Sequence, residues 1–281
     1  YESIALLGSN CGNDAIEKVA YLSYLCDEYG LDTISTGNVV GFAIEAAKKK
    51  LIDENVEFND PVNQGELIRK IAYREGIGDS LAEGVKRFSE KVGGTYFAMQ
   101  SKGMEFPGYD PRGAFGMALA YATSDRGACH QRVWTVRAEM QGNLIPRYGI
   151  EGRASFVKEN QDERACCFSL VLCDFAPFGV DTFVELLNTA TGFEYSNDTY
   201  MRTGERIWNL TRMFNIRNGI TREDETLPGR TLEESLEKDE ARIGVGNFEK
   251  MLDEYYHLRG WDRNGIPITE KLKELELEGF L

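Results

Sequence analysis

The chain has 281 residues, a formal charge of -14 at neutral pH, 42% hydrophobic and 28% charged residues. An acidic surplus of this size excludes a phosphate-neutralising nucleic-acid surface, which needs clustered Lys and Arg, and the absence of a long apolar run excludes a spanning helix. No secretory leader is visible, and Cys11, Cys26, Cys129, Cys166, Cys167 and Cys173 follow neither a secreted disulfide framework nor a zinc-ribbon spacing, so a soluble protein of the reducing cytoplasm is expected.

Helical signals dominate in chain order. Ile16, Val19, Ala20, Leu22 and Leu25 recur at helical spacing after Asp14, an expected N-cap, and that helix should stop at Gly30 with Leu31 packing back. Ser35 or Thr36 would cap the next helix, which runs through "NVVGFAIEAAKKKLI". The segment "GELIRKIAYREGIGDSLAEGVKRFSEKVGG" reads as two amphipathic helices broken at "EGIGD", with Asp79 or Ser80 capping the second and Gly93-Gly94 ending it. Pro and Gly mark "YFAMQSKGMEFPGYDPRGAFG" as a loop. Beyond it, "MALAYATSDRG" is a short buried helix ending at Gly127, and "EGRASFVKENQDERACCFSLVLC" is a helix running to Cys173. Two more helices lie in "TGERIWNLTRMFNIRNG" and "FEKMLDEYYHLRG", the last stopping at Gly260. The expected fold class is mainly α: two helical domains, 1–100 and 101–281.

Four constellations can carry chemistry, each beside an ordinary structural explanation. Asp27 and Asp32 flank Gly30-Leu31 in a short corner between helices, offering carboxylate acceptors to a ligand rich in N–H groups; solvated acids at a helix stop are the ordinary alternative. His130, in "SDRGACHQR", is a candidate for proton chemistry or a structural histidine, and Arg132 is a candidate for an anionic group such as phosphate. Cys173 ends "CCFSLVLC" as a candidate iron-sulfur ligand that is ambiguous on its own, while Cys166 and Cys167 read as buried small hydrophobes. Glu2, in "YESIALLGSNCG", is either a buried general base or a solvated terminal carboxylate.

Taken in order, "YES", "LGSNCG", "CDEYGLDTISTG", "AYATSDRGACHQR", "SLVLC" and "LDEYYHLRGWD" resemble the aldehyde ferredoxin oxidoreductase family, tungsten-pterin enzymes, over nearly the whole chain. The resemblance implies the second and third, helical, domains of that family, with the first pterin corner in 1–100 and the active-site histidine and fourth cluster cysteine in 101–281. It implies pterin binding by Asp27, Gly30, Leu31 and Asp32, with the carboxylates facing ring N–H groups. In the second corner Leu172 and Cys173 match, while Phe168 stands where the family has Asp and Val171 where it has Gly. Cys173 matches the fourth ligand of a 4Fe-4S cluster. The other three ligands, a C-x2-C-x3-C run, lie in the family on the N-terminal side of this segment, so a missing N-terminal domain or a separate subunit is an implied partner, with ferredoxin and a small aldehyde. Glu2 and His130 match catalytic positions: Glu2 as the base, His130 as hydrogen-bond donor to an oxo group or the substrate carbonyl. Arg132 matches a basic residue near the pterin. The family's Glu-x-x-His dimer motif is replaced by Tyr21-Leu22-Ser23-Tyr24, so no metal-bridged dimer is expected. The implied cofactors are a bis-molybdopterin tungsten (or molybdenum) centre and the cluster, and the implied reaction is oxidation of an aldehyde to an acid. The alternatives are an aromatic acyl-CoA reductase of similar type and a non-catalytic helical partner. No nucleic acid or membrane is expected as a partner.

Overall fold

A computed structural model describes residues 1–280 apart from 142, 143, 174, 177 and 237–240. Its helices are α1 (Ile16–Tyr29), α2 (Thr33–Lys48), α3 (Pro61–Tyr73), α4 (Ile77–Leu81), α5 (Gly84–Val92), α6 (Phe115–Thr123), α7 (Arg153–Ser169), α8 (Val180–Thr191), α9 (Asn197–Arg217), α10 (Gly229–Glu233), α11 (Val245–Arg259) and α12 (Thr269–Glu274). Among the described residues the only sheet is a hairpin of β1 (Gln100–Ser101) and β2 (Met104–Glu105), with Ser101 opposite Met104. The mainly helical class expected from the periodicity is the class observed.

The chain forms two compact units. The first comprises Tyr1–Gly113, Arg126–Ala128 and Thr226–Arg242. A π-helical turn at Ile4–Gly8 leads into α1 and α2, and the core is built from Leu7, Leu22, Cys26, Val40, Ile44, Leu67, Ile68, Phe88 and Phe97. The late segment joins this unit through Arg230, whose guanidinium forks onto both oxygens of Glu45 (2.7 and 2.5 Å) and lies 5.2 Å from the ring centre of Phe97. The pairing is half-buried and bidentate, the geometry in which an ion pair adds orientation as well as energy.

The second unit comprises Ala114–Asp125, Cys129–Glu225 and Ile243–Leu281. Helix α7 packs against α9, α11 and α6. A buried polar network ties them together. Tyr255 donates its hydroxyl to Gln161 Oε1 (2.6 Å) and receives hydrogen bonds from Trp208 Nε1 (2.9 Å) and Arg259 Nε (3.0 Å). Arg259 also pairs with Asp162, and Gln161 Nε2 reaches Thr123 Oγ1 at the end of α6 (3.1 Å). Buried polar groups are tolerated here because they are mutually satisfied.

Several expected boundaries move. Asp14 does not cap α1; it pairs with Lys18, one helical turn on, at 2.7 Å, and Ala15 takes the cap position. Asp79 and Ser80 lie inside the single turn α4, because Gly84 opens the next helix. Helix α6 ends at Thr123 rather than Gly127, and α7 at Ser169 rather than Cys173. The expected stops at Gly30, Gly93 and Gly260 are observed, and Gly30 and Gly260 are left-handed.

Candidate functional site

The first unit places the corner at the end of α1. Gly30 (φ 69°) donates its N–H to Asp27 O (3.2 Å) and Leu31 N–H reaches Cys26 O (2.8 Å), the paired bonds of a Schellman turn. Leu31 packs back onto the core. The cap of α2 is Asp32, not Ser35 or Thr36: Asp32 Oδ2 accepts the Ser35 N–H at 2.7 Å. The chain turns so quickly that an aspartate just past one helix end becomes the cap of the next, where the dipole favours its charge. Asp27 has no such support. It is exposed in the last turn of α1, and its carboxylate makes no hydrogen bond or ion pair among the described residues. Beneath it the Cys26 thiol is buried, and burial pushes its pKa up to about 11, so it stays protonated.

Glu2 lies beside this corner, because Ser3 Oγ donates to Thr33 Oγ1 at 3.0 Å. Its carboxylate is held by the Gly108 N–H, 2.7 Å from Oε2, while Oε1 is also buried. Tyr1 donates its hydroxyl to Gly108 O (2.8 Å) and stacks on Tyr109 at 5.0 Å between ring centres. Burial first, then the Glu2 charge, pushes the Tyr109 hydroxyl up to about 12. A side chain at position 108 has no room, since a Cβ there would fall 2.6 Å from Ala5 Cβ and 3.3 Å from Glu2 Oε2. A cavity of about 460 Å³ opens here, lined by Tyr1, Ile4, Leu6, Asn38, Phe106 and Asp110 among others. Sequence reasoning missed Tyr1, Gly108 and Tyr109; "PGYDPRG" reads as loop punctuation, and its partner lies more than a hundred positions away.

The second unit holds the other candidates. Helix α7 closes with the same two bonds as α1: Val171 N–H to Phe168 O (3.0 Å) and Leu172 N–H to Cys167 O (3.2 Å). Val171 takes the glycine's left-handed place at φ 57°, its side chain almost wholly exposed. Leu172 packs back against Cys166, Cys167, Phe183, Val184 and Tyr200. Cys173 follows and is exposed, while the other five cysteines are buried; burial pushes the Cys166 thiol up to about 12. Phe168 carries no polar acceptor. The guanidinium of Arg132 lies 5.0 Å from its ring centre, with Arg132 Nε donating to Asp125 Oδ1 at 2.9 Å. His130 is half-buried in the loop between α6 and the turn at Arg137–Gln141. Thus Glu2 is brought to the first corner and Arg132 to the second. Among the described residues no three His, Cys, Asp or Glu side chains converge as a metal site.

A family model described as aldehyde ferredoxin oxidoreductase, domains 2 and 3, matches residues 1–277. The chain belongs to the aldehyde ferredoxin oxidoreductase family. Proteins named tungsten-containing aldehyde ferredoxin oxidoreductase from Thermococcus kodakarensis and Pyrococcus furiosus are each 39% identical to it over the whole chain. The chain spans about half of those relatives, 49% and 48% of their lengths. A Pyrococcus furiosus protein named aliphatic sulfonate oxidoreductase, WOR-like subunit, is 30% identical over 98% of this chain and 45% of its own length. In the active site complex BamBC of benzoyl coenzyme A reductase, solved with 1,5-dienoyl-CoA, one chain shares the fold at a TM-score of 0.78 and 19% identity, over 99% of this chain and 48% of that one. Membership of this family of oxidoreductases accounts for two helical units in one chain with the corner motif at the head of the first.

Proposed function

We propose that this chain supplies the helical part of a tungsten-pterin (or molybdenum-pterin) oxidoreductase that converts an aldehyde to a carboxylic acid, electrons leaving through a 4Fe-4S cluster to ferredoxin. The observation that carries the reading is the first corner. An exposed Asp27, without a hydrogen-bond or ion-pair partner among the described residues, and an Asp32 with only one oxygen committed to its cap present carboxylate acceptors on an otherwise closed turn. That donor set fits a ring system rich in N–H groups. The 39% identity to proteins named as aldehyde ferredoxin oxidoreductases favours aldehyde oxidation over acyl-CoA reduction, for which the likeness is one of fold.

In this reading Asp27 and Asp32, with the backbone of Gly30 and Leu31, hold one pterin, and the bound metal centre supplies the two-electron redox chemistry. The residues of this chain orient substrate and handle protons. Glu2 takes a proton at Oε1 while the Gly108 N–H fixes Oε2. His130 donates a hydrogen bond to the substrate carbonyl oxygen, favouring the charge that develops there. Leu172 anchors the second corner, and Cys173, as the exposed thiol, serves as one cluster ligand. The remaining three cysteines come from an N-terminal domain or a separate subunit carrying C-x2-C-x3-C. The second corner does not fit the role of the first, since Phe168 has no acceptor to offer a pterin.

Anaerobic purification from the native host, with metal analysis and identification of whatever copurifies, tests this. Tungsten or molybdenum with about four irons, alongside a C-x2-C-x3-C segment, is the expected result. A chain that purifies free of metal and of any such segment overturns it.

A further inference from the structure

Residues 106–108 are held at both ends by side chains of the first unit. Asn38 Nδ2, from α2, donates to Phe106 O at 2.7 Å and to Ile34 O at 3.0 Å, while Glu2 Oε2 accepts the Gly108 N–H at 2.7 Å. The cavity of about 460 Å³ is lined by this short segment and by Asn38 itself. We propose that Asn38 Oδ1 is the acceptor that selects the ligand of this cavity, and that the ligand class is a neutral hydroxyaryl aldehyde.

The partners of the Asn38 amide settle its orientation. Both are carbonyl oxygens, which only accept, so the atom facing them is the NH2 group and the one left over is the oxygen. That oxygen has no hydrogen-bond partner among the described residues, although Asn38 is only 7% exposed. An open acceptor at such burial is costly unless a donor meets it. The other buried side chains of the wall, Leu6, Phe106 and Pro107, are apolar. Tyr1, Asn10 and Asp110 are already engaged: the Tyr1 hydroxyl donates to Gly108 O, Asn10 Nδ2 donates to Gly37 O at 3.0 Å, and Arg112 forks onto Asp110. Apolar walls with one open buried acceptor suit a ring that carries one hydroxyl. Among the described residues no buried side-chain donor of the wall is left to hold a carboxylate, so an acid formed here is not retained. Asn38 and Glu2 grip backbone points two residues apart, a span of at most about 7 Å. A single aromatic ring covers it, with the aldehyde towards Glu2 and the hydroxyl towards Asn38. Naming the ligand an aldehyde rests on the function proposed above; the preference for a hydroxyl donor does not.

The test is a fluorine NMR titration of the full chain with 4-fluorophenol and 4-fluoroanisole, which share a ring and differ in the hydroxyl donor. The phenol is expected to bind about tenfold more tightly, and Asn38→Leu, close in volume but without the acceptor, should bring the two within about twofold. If that variant fails to fold, Ile4→Trp, at a half-exposed position on the cavity wall, should weaken both probes by filling the space. Equal affinities in the wild-type chain overturn the proposal, as does a phenol preference that survives Asn38→Leu or phenol binding unchanged in Ile4→Trp. In the assembled enzyme, 4-hydroxybenzaldehyde should show a lower KM than 4-methoxybenzaldehyde. Phenol selectivity in the chain without turnover of either aldehyde would uphold the acceptor and overturn the aldehyde reading.

Discussion

Gly30 and Val171 occupy the same step of two identical helix-closing turns, both left-handed, at φ 69° and 57°. A glycine is at home there, whereas a β-branched residue is not. Space does not distinguish them: nothing lies within 4 Å of a Cβ built on Gly30, and Val171 is 91% exposed. The difference is backbone strain alone. Val171→Gly should therefore stabilise the second unit by about 1 kcal/mol, and Gly30→Ala should destabilise the first by a similar amount. Denaturant midpoints at unchanged slope would check both, and a loss of stability in Val171→Gly would contradict the strain.

Asp27 and Asp32 differ in what they do for the fold. Asp32 caps α2, so Asp32→Ala should cost about 1 kcal/mol. Asp27 supports nothing internal, so Asp27→Asn should shift stability by less than about 0.5 kcal/mol. In the purified complex, however, Asp27→Asn is expected to lower metal occupancy. A destabilised Asp27→Asn with full metal content would reverse both assignments.

Asp162 sits against Arg259 with both side chains buried. Removing one partner leaves the other as an uncompensated buried charge, so Asp162→Ala should cost about 3 to 5 kcal/mol. Arg259 also holds Tyr255, which bridges to Gln161 and Trp208, and the loss should therefore spread through α7, α9 and α11. Hydrogen exchange across these three helices reads it. Exchange that accelerates only around position 162 would show the network to be uncoupled.

Burial raises the thiols of Cys26 to about 11 and of Cys11 and Cys166 to about 12, from an ordinary value of 9.0. Below 9 both folded and unfolded chains keep these protons. Above it the unfolded chain loses them first, so the native state binds more protons and stability falls as pH rises towards 11 to 12. The urea midpoint under reducing conditions should drop between about pH 8 and about pH 10.5, and Cys26→Ala should make that drop shallower. An unchanged slope in the variant would remove Cys26 from the account.

Much of the helical frame was legible because its signals are local. Gly30 and Gly260 come just past the last turn of an apolar-periodic stretch, and both close their helices as expected. The cap of α2 was misread for a local reason too. Ser35 and Thr36 are the conventional capping types nearest that helix, but the abrupt turn after Gly30 makes Asp32 the cap of α2. What the sequence hid is long-range. Glu2 meets Gly108 across 106 positions and Arg230 meets Glu45 across 185, and no periodicity records either. The pairing of Arg132 with Phe168 was hidden differently, since a phenylalanine in a helix of mixed character reads as core until its ring is found under a guanidinium.

Gly108 is the residue on which the placement of Glu2 depends most narrowly. Its N–H holds Oε2, its carbonyl takes the Tyr1 hydroxyl, and it has no room for a methyl group on the side of Ala5. In Gly108→Ala the loop must retreat or Ala5 must shift, and either movement lengthens the bond to Glu2. If Glu2 is the proton acceptor proposed above, misplacing it by about 1 Å costs on the order of a hundredfold in rate, so kcat of the assembled enzyme on the proposed aldehyde substrate should fall by roughly 10- to 100-fold, with KM little changed. Glu2→Gln should remove turnover more completely while preserving metal content, because its amide oxygen can still accept the Gly108 N–H. Full turnover in Glu2→Gln would exclude Glu2 as the proton acceptor. A Gly108→Ala enzyme that loses substrate affinity but not kcat would move Gly108 from orienting Glu2 to shaping the cavity beside it.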